Sequence, residues 1–484
     1  MKKFFNIKLN ILEIILLISP ILDIVTSIAQ RSFNIDISLG LIVRAFLMIF
    51  LIAFTFFKSD YKNKKITVMY LILIAVYTII FSMNIHFNMN KGNNQLLRDL
   101  KELIKTFYFP ICLITMMNYF ETTKYKLNLK VLWIVLIEYV VLLFIPCIFN
   151  LGYESYVEDK IGTIGWYYAA NEISAIYSIL IALIIFSQSK IKNKFVYFFI
   201  QMLCIYTVLQ IGTKIPAIAI IISICVFVLA NLLKFIYTKD KSFIKNIFIY
   251  GGITGIIFIV ILAKSPVIKN FDIYKNYLIS TRTTQMVDSN AVEENNESIE
   301  KNVESEEIPK VDEVEDTQEQ QIVENIHEQQ SANQTSTNIE NQDTNLTNDE
   351  IATIIHSGRI ETLKNIKSIF DGSSVVVKMF GLGKIGGIEE TYYLTEIDYF
   401  DILFEYGYVG FAIYFMLLLI FVGIIIKKLY LNGFKNYICD DNKWCYFLII
   451  VNGLVCAVAG HTLVAPAVSI YIAIAIVQGY RELE

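Results

Sequence analysis

Histidine and cysteine are both scarce in this sequence of 484 residues. The four histidines, His86, His327, His356 and His461, are too widely scattered to match the spacing of metal ligands. All seven cysteines lie outside residues 265–406. This distribution excludes a disulfide framework or a thiolate zinc site in that region.

Charged residues are also few. They make up 18% of the chain, whereas 55% of the residues are hydrophobic. Soluble domains contain about 25% charged residues, so a single soluble domain is disfavoured. The presence of 34 Phe and 29 Tyr excludes a chain that is disordered throughout. We therefore expect a membrane protein.

Twelve apolar runs are long enough to be membrane-spanning helices. A helix of about 20 residues crosses the roughly 30 Å hydrocarbon core of a bilayer. The predicted spans are residues 10–30, 37–57, 66–87, 106–120, 130–149, 167–187, 195–212, 215–236, 246–264, 407–426, 444–461 and 464–480. The predicted fold class is an all-α polytopic membrane protein.

The short connections between successive spans alternate between the two sides of the membrane and so form two sets. Lysine and arginine are distributed unevenly between these two sets. The set that includes both chain ends carries 22, and the other set carries seven. Because cytoplasmic loops carry the excess of positive charge, both termini are predicted to be cytoplasmic. Spans 1–9 then lie in residues 1–264, a large extracytoplasmic loop covers 265–406, and spans 10–12 lie in 407–484.

The large loop contains a strongly acidic insert. Residues 288–350 hold 19 of the 45 acidic residues, two of the 41 basic residues and no aromatic residue. Such a segment cannot bury enough apolar surface to offset the entropy lost on ordering, so we predict that it is disordered. The overall net charge of −4 therefore averages an anionic insert with a cationic membrane body.

The remainder of the loop, residues 351–406, is predicted to be partly helical. Apolar side chains follow Arg359 at near-helical spacing, which predicts a helix that ends at Asp371-Gly372. Gly381-Leu382-Gly383 and Gly386-Gly387 then predict a flexible loop in front of span 10.

Ionisable side chains within predicted spans are candidates for function, because charge is costly in a bilayer. For Asp23, Arg44 and Glu138 we favour pairing inside the membrane, such as Asp23 with Arg44 on adjacent spans. Glu172 follows Asn171 at the outer start of span 6, among small and polar residues. These two residues are candidates for lining an outward-facing cavity.

Three cationic positions suit a phosphate ligand at the outer surface. Lys214 follows Thr213 in the tight turn between spans 7 and 8, which places a point charge and a hydroxyl at headgroup depth. Arg359 begins the predicted outer helix, where the guanidinium fork and the helix amides both favour an anion. Arg282 is a weaker candidate, and for each position the alternative is a solvated surface cation, an alternative that we favour for Arg282 but not for Arg359.

A group of carboxylates precedes span 10. Glu396, Asp398 and Asp401 lie close in sequence, and neighbouring carboxylates raise one another's pKa, which suits a general base. The alternative is a water-facing helix start that the helix dipole stabilises. The residues alone do not separate the two interpretations.

The order of these features resembles the O-antigen ligase and O-antigen polymerase superfamily of polytopic bacterial glycosyltransferases. The matching elements are Gly212-Thr213-Lys214 in a turn, Ser357-Gly358-Arg359 opening a helix, Phe380-Gly381-Leu382-Gly383, and the run from Glu396 to Glu405-Tyr406-Gly407 before a span. The Asn171-Glu172 element is similar to that of Gram-positive members. The resemblance covers most of the chain except the acidic insert.

The resemblance implies roles for particular residues. The family arginine of the turn is Lys214 here, which keeps the charge but loses the fork. The family histidine that activates the acceptor hydroxyl aligns with Glu396, so Glu396 is the implied base and Asp398 the next candidate. Lys214, Thr213, Arg359 and Arg282 are the implied diphosphate ligands. The family implies no metal and no other cofactor.

Such enzymes transfer a glycan from a polyprenyl diphosphate to a hydroxyl of an acceptor glycan outside the bacterial cytoplasmic membrane. The resemblance favours a repeat-unit polymerase. A ligase that attaches finished polysaccharide to a lipid or wall acceptor, a flippase or transporter of the lipid-linked oligosaccharide, and a non-catalytic assembly or sensor protein stay open. The expected partners are the lipid-linked oligosaccharide, the acceptor glycan, the bilayer and other polysaccharide-export proteins, with no nucleic acid.

Deleting residues 288–350 is expected to leave glycan synthesis largely intact. An anionic segment does not help to bind an anionic diphosphate, so we expect it to lie away from the site. The measurement is the amount and length of surface glycan in cells that carry only the deletion variant. A substantial loss of polymer from a well-expressed variant would contradict this expectation.

Overall fold

The computed structural model describes residues 10–33, 38–89, 93–156, 160–273, 275–276, 359–384, 395–432 and 437–482. The chain divides into two compact units, one made of Met1–Ile273 with Ser357–Glu484 and the other of Tyr274–His356. Only residues 275–276 of the second unit are described, and both are helical.

Several predictions fall outside the described residues. These are the disordered insert 288–350, the cation Arg282, the Ser357-Gly358 start of the family motif, and the second glycine pair, Gly386-Gly387. They stay predictions.

The described part of the first unit is helical apart from one small hairpin. The helices are α1 Ile11–Phe33, α2 Leu39–Lys58, α3 Tyr61–Phe87, α4 Asn93–Thr106, α5 Tyr108–Thr123, α6 Leu129–Ile148, α7 Ala170–Ile185, α8 Lys194–Leu209, α9 Lys214–Thr238, α10 Ser242–Leu262, α11 266–273, α12 Arg359–Gly372, α13 Val375–Phe380, α14 Asp398–Asn432, α15 Asp441–Cys456 and α16 Pro466–Arg481. The hairpin pairs β1 Tyr153–Glu154 with β2 Thr163–Gly165 in antiparallel register.

Each predicted span coincides with a helix, and the prediction of an all-α polytopic membrane protein is confirmed. Among the described residues, eight stretches are long and apolar enough to cross a membrane, namely α1, α2, α3, α4 with α5, α6, α9, α10 and α14. The four other predicted spans correspond to α7, α8, α15 and α16, which have 16 residues each. At 1.5 Å per residue these helices are about 24 Å long, shorter than the predicted spans.

Two of the short helices form the centre of the helical bundle. All residues from Ile173 to Ile185 of α7 and from Pro466 to Gln478 of α16 are buried. A helix that is apolar on every face is one that neighbouring helices surround. α15 packs between them, and its Asn452 donates from Nδ2 to the carbonyl of Ser178 at 2.7 Å.

The predicted intramembrane ion pair is present. Arg44 Nη2 donates to both carboxylate oxygens of Asp23, at 2.7 and 2.9 Å, across α1 and α2. Tyr139 donates to the same carboxylate at 3.1 Å. For Glu138, the predicted pairing is not found, because its buried Oε2 has no hydrogen-bond partner among the described residues.

A sharp kink at Gly407 divides α14 into two segments. Gly407 has φ +66°, and a Cβ atom there would lie 2.6 Å from the carbonyl oxygen of Met379. Only glycine adopts this backbone at such close approach without strain. The kink frees the carbonyl of Tyr406, which accepts a hydrogen bond from the hydroxyl of Tyr77 at 2.7 Å.

The segment Gly381-Leu382-Gly383 binds to this kink, so the prediction of a flexible loop is wrong for these residues. Leu382 and Gly383 donate their amides to the carbonyls of Phe404 and Glu405, both at 2.9 Å. Asn84 of α3 in turn donates to the carbonyl of Gly381 at 2.7 Å. Glycine is needed here for close packing of two backbones and not for mobility.

A small hydrophobic cluster completes the attachment of α12 and α13 to the bundle. It consists of Ile366, Phe370, Val377, Leu382 and Phe404, all buried. The predicted helix over 359–372 is confirmed with its end at Gly372, but Ile369 is half exposed and does not join the cluster.

Replacing Gly407 with alanine is expected to destabilise the folded protein, because the left-handed backbone and the clash with Met379 each oppose a side chain. The strain alone costs about 1–3 kcal/mol. Gly423 of the same helix has open space around its Cβ position, so Gly423→Ala is the matched control. The measurement is the thermal midpoint of each purified variant in detergent. Equal midpoints for the two variants would contradict the structural role of the kink.

Candidate active site

The turn between α8 and α9 is fixed by the loop that carries the hairpin. Thr163 donates its amide to the carbonyl of Gln210 at 2.9 Å. Gly212 has φ +81°, and a Cβ there would lie 2.4 Å from the carbonyl oxygen of Ile161. The turn is therefore pressed against the loop backbone, which holds the first residue of α9, Lys214, in a defined place.

Asn270 of α11 locks the same two backbones together. Its Nδ2 donates to the carbonyls of Ile161 and Gly212, at 2.7 and 3.0 Å, while its Oδ1 accepts from the amide of Ile161 at 2.7 Å. The side chain is 6% exposed. Three hydrogen bonds from one buried amide thus set the position of the turn.

The two predicted turn ligands have different environments. Thr213 is buried, and its hydroxyl shares a hydrogen bond of 2.6 Å with that of Ser174 on α7. Thr213 therefore joins α7 to α9. Lys214 lies within electrostatic reach of Lys160 and Arg359. We call Lys160, Lys214 and Arg359 the cationic cluster.

The predicted base lies beside the cationic cluster. Arg359 donates to Oε2 of Glu396 from Nε at 3.0 Å and from Nη2 at 2.6 Å. The side chains of Arg359 and Glu396 are 20% and 42% exposed, so the ion pair is accessible. Glu396 has φ +53°, an uncommon conformation for a residue with a side chain. The structure thus brings together two residues that are 37 positions apart.

Tyr156 marks the meeting point of these groups. Its hydroxyl donates to the carbonyl of Gly212 at 3.5 Å. Burial raises the pKa of Tyr156, and the phenol feels both the charge of Arg359, which lowers the pKa, and that of Glu396, which raises it. The turn, Arg359 at the start of α12 and Glu396 just before α14 therefore share one region.

Asp398 and Asp401 are anchors of the backbone. The Asp398 carboxylate is fully buried and accepts from the amides of His461, Thr462 and Leu463 at 2.6 to 2.8 Å. Asp401 accepts at Oδ1 from the amide and the hydroxyl of Thr395. Of the three predicted carboxylates, Glu396 is partly exposed, whereas Asp398 and Asp401 are buried.

His461 is near the site, although no pattern in the sequence selects it. The preceding residue, Gly460, lies so close to Glu396 that a Cβ atom added to it would be 2.5 Å from the Glu396 carbonyl oxygen. His461 itself has φ +58°. Its charge acts on both Asp398 and Asp401. A single histidine more than 60 residues from its neighbours in space carries no spacing signal, so only the fold reveals this proximity.

A second group that sequence reasoning missed surrounds Lys384. Its Nζ lies 3.5 Å from Oε2 of Glu102 and 3.7 Å from Oε1 of Glu405, and its amide donates to Asp99 at 2.8 Å. Burial opposes the charged form, yet the carboxylates of Glu405 and Glu102 raise the pKa of Lys384. This network joins the segment after α13 to α4 and to the kinked α14.

Glu172 lines a cavity, whereas Asn171 beside it is half-buried and is not among the lining residues. Asp23 and Arg44 also line this cavity.

The described ranges contain no group of three or more His, Cys, Asp or Glu side chains that could hold a metal ion. The exposed chemistry of the described site is therefore that of cations, one carboxylate and aromatic hydroxyls.

Comparison with known proteins assigns the family. Residues 5–480 match the profile of the family described as O-antigen ligase like membrane protein. The chain belongs to this family. No curated protein and no solved structure matches it. Membership in the O-antigen ligase-like family places the protein in surface-polysaccharide biosynthesis and suggests a glycosyltransferase-type activity.

Replacing Asn270 with aspartate is expected to destabilise this O-antigen ligase-like protein, because a carboxylate oxygen would face two carbonyl oxygens. Each unsatisfied buried group costs about 1–3 kcal/mol. Asn193→Asp is the matched control, since Asn193 only accepts, from Phe195 and Val196 at the start of α8. The comparison uses thermal midpoints in detergent. A midpoint for Asn270→Asp as high as that of the control would show that this amide does not hold the turn.

Proposed function

We propose that the protein is a repeat-unit polymerase, which transfers an oligosaccharide from polyprenyl diphosphate to a hydroxyl of an acceptor glycan. The observation that carries the proposal is the accessible Glu396 carboxylate bound to Arg359, with Lys214 and Lys160 close by. A diphosphate leaving group needs cations, and an attacking hydroxyl needs a base. Both requirements are met by side chains in one region.

The cationic cluster is suited to the diphosphate. Arg359 presents a planar fork that matches two phosphate oxygens, and Lys214 supplies a point charge from the first residue of a membrane helix. Charge on the departing diphosphate grows as the bond to the anomeric carbon breaks. Cations held by a rigid turn stabilise that charge without reorganising, which is where catalysis gains most.

The ion pair with Arg359 gives Glu396 a defined part in the reaction. Oε2 of Glu396 accepts both hydrogen bonds from the guanidinium. A diphosphate that binds Arg359 takes over these donors and frees the carboxylate. The acceptor hydroxyl then transfers its proton to Glu396 and bonds to the anomeric carbon, while the carbon–oxygen bond to the diphosphate breaks and its electron pair leaves with the lipid.

We infer from the charge-based topology that this chemistry lies outside the cytoplasmic membrane. With both termini in the cytoplasm, the starts of α7, α9 and α16 face the outside, together with the hairpin loop, α12 and α13. Residues 265–406 then form the extracytoplasmic loop of a bacterial plasma-membrane protein, and the lipid-linked donor reaches the site from the outer leaflet. The partners of the reaction are that lipid and the acceptor glycan.

The proposal predicts that cells lacking the gene accumulate single repeat units on lipid. Glu396→Gln and Lys214→Ala are expected to restore little polymer. The first variant removes the general base, and loss of a general base alone lowers the rate by about 10²–10⁴-fold. The second removes a positive charge that stabilises the departing diphosphate. Asp371→Asn and Lys367→Ala are the matched controls, since these residues form an exposed pair on α12. The measurement is the length distribution of surface and lipid-linked glycan.

Other outcomes of this experiment would favour the alternatives. Full-length polymer that stays on lipid in the deletion strain would indicate a ligase. Loss of outward-facing lipid-linked units would indicate a flippase or transporter. If both site variants restore wild-type glycan at normal expression, the site assignment is wrong.

A further inference from the structure

A polar cavity lies next to the candidate active site and takes no part in the chemistry described above. Its volume is about 240 Å³, and its lining includes Asp23, Arg44, Lys105, Tyr167, Tyr168 and Glu172. Small-molecule pockets typically measure about 300–1,000 Å³, so this cavity suits one ring-sized group. It is too small for a whole oligosaccharide.

The charges around the cavity are paired except at one carboxylate. Asp23 and Arg44 neutralise each other directly, and Lys105 lies 3.5 Å from Glu102. The Glu172 carboxylate has no hydrogen-bond or ion-pair partner among the described residues. A lining of paired charges with one additional carboxylate offers no attraction for a diphosphate. It suits a neutral ligand that carries hydroxyl donors.

Two tyrosines add features that point to a ligand. Tyr167 is 3% exposed, and its hydroxyl has no hydrogen-bond partner within the described part of the chain. A buried hydroxyl of this kind normally finds a partner. Tyr168 is 55% exposed at the rim, and Arg31 holds it by donating to its carbonyl at 2.8 Å and lying 5.2 Å from its ring centre. The rim therefore offers a fixed aromatic face.

The cavity is joined to the candidate active site by two structural links, one to the cationic cluster and one to the loop that Asp398 holds. Glu172 lies in the first turn of α7, two residues before Ser174, whose hydroxyl bonds to that of Thr213 next to Lys214. The lining also includes residues 465–467, which directly follow the loop that Asp398 holds. A group bound in the cavity thus lies close to the reacting region.

We propose that this cavity binds one sugar residue of the glycan substrates, with Glu172 and Tyr167 bonding to its hydroxyls and Tyr168 packing against its ring. The inference rests on the proposed function, because it assigns the cavity to the same reaction. The sugar comes either from the acceptor or from the reducing end of the donor glycan. Both sources share the chemistry of a neutral ring rich in hydroxyls.

Binding of a free oligosaccharide tests the inference. The probe is the oligosaccharide that mild acid releases from the polyprenyl-diphosphate lipids of the producing cells, titrated calorimetrically into the purified full-length protein. We expect saturable binding that Glu172→Gln and Tyr168→Ala each weaken at least tenfold. Tyr168→Ala keeps the test valid if the other variant folds poorly, because Tyr168 is exposed. Glu154→Gln, an exposed carboxylate on β1, is the matched control and should bind as the wild type does.

A second titration identifies the source of the sugar. Borohydride reduction opens the ring at the reducing end of the probe. Loss of affinity then assigns the cavity to the donor, and retained affinity assigns it to the acceptor. Wild-type affinity in both cavity variants, or no binding to the wild type, overturns the inference. If cells still require the protein for polymer length in that case, the proposed function stands and only the cavity assignment fails.

Discussion

The break in α14 at Gly407 is the constraint on which the outer part of the structure depends. A kink in a membrane helix leaves main-chain carbonyls that lipid cannot satisfy. Here the amides of Leu382 and Gly383 and the hydroxyl of Tyr77 supply the donors. The two amides belong to the segment that runs from α12 to Lys384. The hydrogen bonds that satisfy the free carbonyls of the kink therefore also attach this segment to the helical bundle. The ion pair of Arg359 with Glu396 forms within this attached segment and the start of α14.

The candidate site is held together by hydrogen bonds between buried side chains and main-chain groups. Asn270 and the close backbone approach at Gly212 hold the turn before Lys214 against the hairpin loop. Asp398 holds the loop at His461 in the same way, with three amide hydrogen bonds. Buried polar networks of this kind cost much if a member is removed. The residues with the most hydrogen bonds are therefore supports, and Glu396 and Arg359 form the more exposed ion pair.

The sequence motifs predicted which segments matter but not what each residue does. The alternation of Glu396 and Asp398 made both candidates for the base, yet one residue faces the cationic cluster and the other is enclosed by amides. The same holds for Thr213, which joins two helices instead of pointing to an anion. The Lys384 network had no signal in the sequence, because Asp99 and Glu102 lie on a helix more than 280 residues earlier. His461 likewise had no signal in the sequence.

The sequence by itself determined the all-α membrane architecture, the positions of the helices and the family. These follow from the length and apolarity of local runs, and from motifs that are contiguous in the chain. It also determined the pairing of Asp23 with Arg44, because isolated charges at membrane depth need partners. Only the tertiary structure decided that Glu396 meets Arg359, that Asp398 is a structural anchor and that Glu172 opens onto a cavity. Such contacts depend on how helices distant in sequence pack, and side-chain periodicity carries no information about that packing.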